Sequence, residues 1–291
     1  MKRMRILPLA AALLFCATSF AQFGTFSKEE LIKYTPDNPY PRFDDGRPRV
    51  PDEILERMKE VSIEEAWGVL HGKGYRLQFT GEWMNLHPDR VLVGRALTAA
   101  FVPKRPDLDG VTEAIGKEQG NKGGQNSWVI DRLSENDVIV IDLFGKVKDG
   151  TFAGDNLANS IWTKTKTGMV IHGGVRDIDG IFPLPDFGVF IRGMDPTGIA
   201  DVTLLGINTP IRIDEATVMP GDVVLGGRGG VIFIPPQFAE EVCERSEEVR
   251  LRDEFGHLRL REGKYTPGEI DMKWTDEIKA DFEEWKTTKK K

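Results

Sequence analysis

The chain has 291 residues, 40% of them hydrophobic and 29% charged, an ordinary globular composition with enough length for a sizeable core. Its formal charge is −7, and loss of Lys2, Arg3 and Arg5 would make it more acidic still, which excludes the basic footprint of a nucleic-acid binder. Only Cys16 and Cys243 are present, so a mature chain lacking the first has neither an intramolecular disulfide nor a multi-cysteine metal site.

In chain order, a basic start at Lys2, Arg3 and Arg5 precedes an apolar run, and Ser19-Phe20-Ala21 fits small-x-small before Gln22. Residues 1–21 therefore read as a signal peptide, and the mature protein as exported to the periplasm or medium, without a membrane anchor. The apolar run is too short to span a bilayer. Residues 22–50 are rich in proline and charge and show no helical or strand period, which predicts an arm that wraps the domain or stays mobile.

Ile54, Leu55 and Met58 behind Pro51 predict a helix over 51–59, and Ser62 with Glu65 forms a capping-box pattern opening a second. Residues 90–102 predict a strand, 120–124 a glycine loop, 126–134 a short helix and 137–143 (DVIVIDL) a buried strand. A helix over 155–167, ended by Gly168, should lead into a strand over 169–172 lying beside 137–143. A short helix over 177–181 and a strand over 188–192 follow. Antiparallel strands are expected at 202–205, 209–213, 222–225 and 231–234, the last two joined by the glycine-rich turn 226–230. Residues 238–252 read as a polar-faced helix. The last segment, 264–291, reads as a helical appendix whose apolar face carries Ile278, Phe282 and Trp285. Alternating strand and helix followed by mainly β structure predicts a layered mixed α/β domain over residues 51–263.

The chemistry concentrates between Gly154 and Asp177. Asp155 is followed, after twenty intervening residues, by the adjacent pair Arg176-Asp177. The first N–H groups of the helix opening at Gly154-Asp155-Asn156-Leu157 are free to hold a carboxylate or phosphate. Gly173-Gly174 at a strand end would let the backbone approach a ligand. Asp177 offers a hard oxygen to a magnesium-type ion, Arg176 a cation for a keto or enolate oxygen, and Asp155 a group that orients water or moves a proton. Taken singly, an aspartate at a helix start is usually a cap, and an adjacent Arg-Asp is usually a surface pair. Gly120 to Gly124 lacks the spacing of a phosphate loop and is a turn that could line a pocket.

Asp-x20-Arg-Asp resembles the motif of the class II pyruvate aldolases that cleave 4-hydroxy-4-methyl-2-oxoglutarate and 4-carboxy-4-hydroxy-2-oxoadipate, which share a fold with the regulator of ribonuclease E activity. The resemblance runs over 91–263 and includes VGRALT at 93–98, DVIVI at 137–141, GDNL at 154–157, GGVRD at 173–177, PGDVVL at 220–225 and GVIFIP at 230–235. It implies an RraA-like swivelling β/β/α domain, assembled as a homotrimer or hexamer with sites between subunits. It also implies Mg²⁺ or Mn²⁺ bound directly by Asp177 and through water by Asp155. Arg176 would stabilise the pyruvate enolate, and backbone groups of Gly154, Asn156 and Leu157 would take the substrate carboxylate. The family's acid from a neighbouring subunit is matched by Asp253, with Glu254 as runner-up. The implied substrate is a small 2-oxo acid. His172 and the Gly226-Gly227-Arg228 turn stand where the family often carries acids. Two other readings remain open at this level: a non-catalytic regulatory or binding protein on the same scaffold, and another exported metal-dependent enzyme using the same site.

Overall fold

The computed structural model describes residues 24–289; the expected signal peptide and the last two lysines lie outside them. Three helices come first: α1 (Lys28–Tyr34), α2 (Asp52–Met58) and α3 (Ile63–Gly72). Two short strands, β1 (Phe79–Thr80) and β2 (Met84–Asn85), lead to the long β3 (Leu92–Pro103). Then follow α4 (Pro106–Glu118), α5 (Gln125–Ile130), β4 (Asp137–Asp142), α6 (Asp155–Thr165), β5 (Gly168–Val175), α7 (Ile178–Ile181) and β6 (Gly188–Met194). The β-rich part holds β7 (Val202–Ile207), β8 (Ile211–Ile213), β9 (Ala216–Val218), β10 (Val223–Gly227) and β11 (Gly230–Ile234). The chain closes with α8 (Ala239–Arg261), α9 (Pro267–Asp271) and α10 (Asp276–Lys289).

Nine strands form one mixed sheet in the order β1-β11-β10-β3-β4-β5-β6-β2, with β7 also on β3. Strands β3, β4, β5 and β6 are mutually parallel, and β4 lies beside β5 as expected, with Ile141 opposite Ile171. The long β3 serves two partners along one edge: Leu92 to Arg95 pair with β10 and Ala99 to Pro103 with β7, across a bulge at Ala100/Phe101. The expected hairpin is β10–β11, closing at Gly227↔Gly230.

Alternation along the central strands sorts the core. Ile139 and Ile141 of β4 face α5, α6 and α7, with Trp128, Ala158, Ile161 and Ile181 among their cluster. Val138 and Val140 face the β8–β9 hairpin, with Ile211, Ile213 and Val218. A third cluster holds α2, α3 and the first half of α8 against β10 and β11. Far along α8, Phe255 packs with Trp274 and Ile278 from the appendix, and Phe282 and Trp285 lean on them.

Several boundaries differ from the sequence reading, the longest extension being α8, which runs to Arg261 rather than 252. The arm contains a helix, α1, whose Ser27–Glu30 capping box is formed in both directions. Helix α4 spans a stretch without apolar periodicity, because only Thr112 and Gly116 are buried on it. Helix α6 stops at Lys166, which takes the left-handed conformation (φ 60°), rather than at Gly168. Gly168 instead opens β5, where a Cβ would lie 2.1 Å from the carbonyl oxygen of Gly188. The arm wraps the domain: Arg47 is buried, with Nη1 3.0 Å and Nη2 3.2 Å from the two Asp137 carboxylate oxygens.

Candidate active site

The site lies where the parallel strands end. After β4 the chain turns back and is stitched to the last residues of β5. Leu143 and Gly145 donate to the His172 carbonyl (3.2 and 2.9 Å), Gly174 donates to Lys146 (2.8 Å), Phe152 to Gly174 (2.8 Å), and Arg176 to Ala153 (3.0 Å). This explains the paired glycines. A Cβ on Gly173 would sit 2.8 Å from the Lys146 carbonyl oxygen and 2.7 Å from a Leu143 methyl, and one on Gly174 would sit 3.0 Å from the Val147 carbonyl oxygen. The glycines admit the protein's own loop, not a ligand as their position at a strand end suggests.

The strap delivers residues 151–154 to the start of α6. Gly154, not Asp155, is the N-cap residue, and Asp155 is the first helical position. A Cβ on Gly154 would lie 2.4 Å from Asp177 Oδ2 and 3.1 Å from Arg176 Nε, so the side chains of Arg176 and Asp177 close directly over this backbone. Across the helix start, a Cβ on Gly180 would lie 2.8 Å from Asp155 Oδ2. Asp155, Arg176 and Asp177 are thus gathered around two glycines, one in each flanking element. Asp177 sits in the left-handed region (φ 55°), the turn that swings the chain from β5 into α7. Arg176 Nε is 3.5 Å from Asp177 Oδ2, and both side chains are about two-fifths exposed (42% and 41%), open to an incoming molecule.

A cavity of about 330 Å³ adjoins this cluster and is lined by Gly154, Asp155, Asn156, Leu157 and Arg176, together with Asn126, Thr151, Gly198 and Ile199. Four of the residues singled out for a substrate carboxylate therefore share one hollow with Arg176. One detail corrects the sequence reading: the Asn156 N–H is already donated to Asp155 Oδ1 (2.7 Å), so it is not a free amide at the helix start. Asn126, whose Nδ2 donates to the Phe152 carbonyl (2.6 Å), was not identifiable from the sequence; the glycine loop before it does not line the cavity, but α5 does. Larger hollows exist elsewhere, one of about 730 Å³ between α3 and α8 and one of about 460 Å³ under the arm, but neither contains Asp155, Arg176 or Asp177. Asp253 is exposed and lines the α3–α8 groove with Val249 and Arg245, outside the Asp155 cavity of its own chain.

His172 is held differently. Its Nδ1 is 3.3 Å from Asp142 Oδ1 and its Nε2 3.1 Å from Asp214 Oδ1, while Asp214 also pairs with Arg192. It ties β4 and β5 to the β8–β9 hairpin.

Among the described residues, no three His, Cys, Asp or Glu side chains converge as a preformed cage. Asp177, beside Gly154, and Asp155, beside Gly180, offer hard oxygens of the kind taken by an ion of the magnesium type that keeps most of its water. Neither residue supplies the histidine nitrogen or cysteine sulfur on which zinc sites are mainly built.

Fold and site together define a mixed α/β scaffold carrying an acid–arginine–acid cluster at the ends of parallel strands. Residues 54–233 match the RraA-like family, Aldolase/RraA, and the chain belongs to that family. Among curated relatives, the protein DlpA of Legionella pneumophila is 28% identical over 164 residues, 56% of this chain and 24% of that protein. The 4-hydroxy-4-methyl-2-oxoglutarate aldolase of Thermus thermophilus is 26% identical over 107 residues, 37% of this chain and 64% of that one. The chain spans less than two thirds of either relative. The crystal structure of Streptomyces coelicolor RraAS2, described as an unusual member of the RNase ES inhibitor RraA protein family, superposes with a TM-score of 0.62. It is 22% identical, covering 76% of this chain and all of that one, and shows the shared fold.

Proposed function

We propose that the chain is a divalent-metal-dependent lyase that cleaves a 4-hydroxy-2-oxo acid to release pyruvate, and that decarboxylates oxaloacetate as a side reaction through the same enolate. The observation that carries this reading is the placing of Arg176 and Asp177 against Gly154, and of Asp155 against Gly180, beside a substrate-sized cavity. Support comes from membership of a family that includes named aldolases.

In the retro-aldol step Asp155, directly or through a water, takes the proton of the C4 hydroxyl. The C3–C4 bond breaks, its electron pair stays on C3, and C4 becomes a carbonyl that departs. Arg176 carries the negative charge that develops on the 2-oxo oxygen, and C3 is then reprotonated to give pyruvate. Asp177 would hold Mg²⁺ or Mn²⁺ directly and Asp155 through water; such an ion, when bound, adds Lewis-acid polarisation at the keto oxygen. Asp253 lies outside its own chain's cavity, so any part it plays belongs to the site of a neighbouring copy, in a homotrimer or hexamer. The proposed setting is the exported, mature protein.

The test is pyruvate release from oxaloacetate and from 4-hydroxy-4-methyl-2-oxoglutarate, with Mg²⁺ and with a chelator. Arg176→Ala should lower kcat by roughly 10²–10³-fold, the usual cost of losing one charge-stabilising donor. No pyruvate from either compound, with folded and metal-supplied protein, would overturn the lyase reading.

A further inference from the structure

Helix α7 is a single turn, Ile178–Ile181, too short to persist without support from its surroundings. It nevertheless sets the spacing of the two acids. Asp177 is its N-cap residue, and the Asp177 carbonyl accepts the Gly180 and Ile181 N–H groups at 3.0 and 3.2 Å. Gly180 lies against Asp155, where a Cβ would come within 2.6 Å of the Asp155 Cβ. A tilt of this turn therefore moves Asp177 and the surface behind Asp155 together. Ile181, fully buried, and Ile178 anchor the turn to the main core.

Its far end is held by another element. The Phe182 carbonyl lies just past the last residue of α7, where helix carbonyls lack intrahelical partners. His87, 6% exposed in the connection between β2 and β3, places Nε2 3.0 Å from that oxygen. A carbonyl only accepts, so Nε2 carries the hydrogen. The His87 and Phe182 rings also pack together, with centroids 4.7 Å apart. His87 Nδ1 is buried and makes no hydrogen bond among the described residues, so the polar contact of the ring goes to Phe182 alone. The connection is itself fixed to the sheet. Met84 and Asn85 pair with β6, the Leu86 N–H donates to the Val189 carbonyl (3.1 Å), and the His87 N–H donates to Asn85 Oδ1 (2.9 Å).

Resting on the lyase reading, we propose that His87 is a positioning residue: through the Phe182 carbonyl it holds α7 at the angle that keeps Asp177 and Asp155 at their working spacing. His87 does not line the cavity, so its effect reaches the reaction only through α7.

The test uses the full mature protein and three variants. Pyruvate release from oxaloacetate, Mn²⁺ binding followed by EPR, and amide exchange are compared. His87→Leu removes the donor and should lower kcat by roughly 10–100-fold, the usual cost of losing a group that orients metal ligands. It should also weaken Mn²⁺ binding and speed exchange at Gly180, Ile181 and Phe182. His87→Gln, whose side-chain amide returns a donor near the Nε2 position, should recover most of the loss. Phe182→Ala changes a ring that is 55% exposed and leaves the carbonyl in place, so it serves where His87→Leu does not fold; it should lower kcat and Mn²⁺ affinity severalfold. Parental kcat, Mn²⁺ binding and exchange in folded His87→Leu, or in Phe182→Ala where that variant stands in, overturn the proposal and leave the lyase reading standing. Equal losses in His87→Leu and His87→Gln overturn the hydrogen bond as the carrier, and the proposal with it. No pyruvate from the folded, metal-supplied parent removes the lyase reading and this inference together.

Discussion

Asp222 shows what a single buried carboxyl does to this molecule. It closes the Pro220-Gly221 turn, its Oδ2 accepting the Met219 N–H at 2.8 Å, and it is 2% exposed. Burial pushes its pKa from 3.8 up to about 7, against the opposing pull of the Met219 N–H. The shift is upward, opposite to a salt-bridged aspartate. Between about pH 4 and pH 7 the folded chain therefore holds a proton that the unfolded chain has lost, and stability falls as pH rises through that window. Asp222→Asn keeps the acceptor and removes the titration. Relative to the parent, it should gain stability progressively across that range, reaching roughly 3–4 kcal/mol at neutral pH, since one pKa unit is about 1.4 kcal/mol. Urea unfolding at a series of pH values measures this, and parallel stability curves for parent and variant would refute it.

The stitching between the strap and β5 shows which parts of the site are legible in a sequence. Asp155, Arg176 and Asp177 each mark a local event, a helix start or a strand end, but singly they read as a cap and a surface pair; their spacing, which resembles a family motif, is what picked them out. Val93 to Thr98 and Asp137 to Ile141 were equally legible, since a buried parallel strand is a run of apolar residues. The partners that shape the cavity were not: Asn126, Thr151 and Ile199 reach it from three separate loops or helix starts and carry no periodic signal. Helix α4 escaped for a related reason, because Thr112 and Gly116 make its buried face polar or small. Gly173 and Gly174 were noticed but explained wrongly, since what crowds them comes from residues about thirty positions earlier. Gly173→Ala tests the corrected account. The added methyl meets the Lys146 carbonyl oxygen at 2.8 Å, and relief requires the strap to lift. A loss of about 1–3 kcal/mol is expected, typical of overpacking, with faster amide exchange at Gly174 and Phe152. Exchange that stays as slow as in the parent would show that the strap does not depend on this glycine.

At the scale of the whole molecule, two additions to the family domain are attached in different ways. The C-terminal helices α9 and α10 lie on the far half of α8. There Asp281 receives Arg259 through two hydrogen bonds of 2.9 and 2.6 Å around the Phe255–Trp274 cluster. The N-terminal arm is instead tied into the centre of the sheet. Arg47 spans Asp45, at 2.8 Å, and the fully buried Asp137 at the start of β4, whose other end opens into the strap of the candidate site. Asp137 and Asp45 hold the Arg47 guanidinium charged despite its burial. Removing one member of such a pair leaves the other charge stranded, which costs about 3–5 kcal/mol, whereas replacing both with apolar groups is far cheaper. Arg47→Met should therefore destabilise the protein by that amount, and Arg47→Met with Asp137→Leu should recover part of it, short of full recovery because Asp137 also accepts the Ser134 N–H at 2.9 Å. The single variant should suffer least in acid, where the stranded carboxyl takes up a proton, so its deficit in urea unfolding should shrink as pH falls. A deficit below about 1 kcal/mol at neutral pH would mean that the arm is a covering rather than a structural member of the sheet.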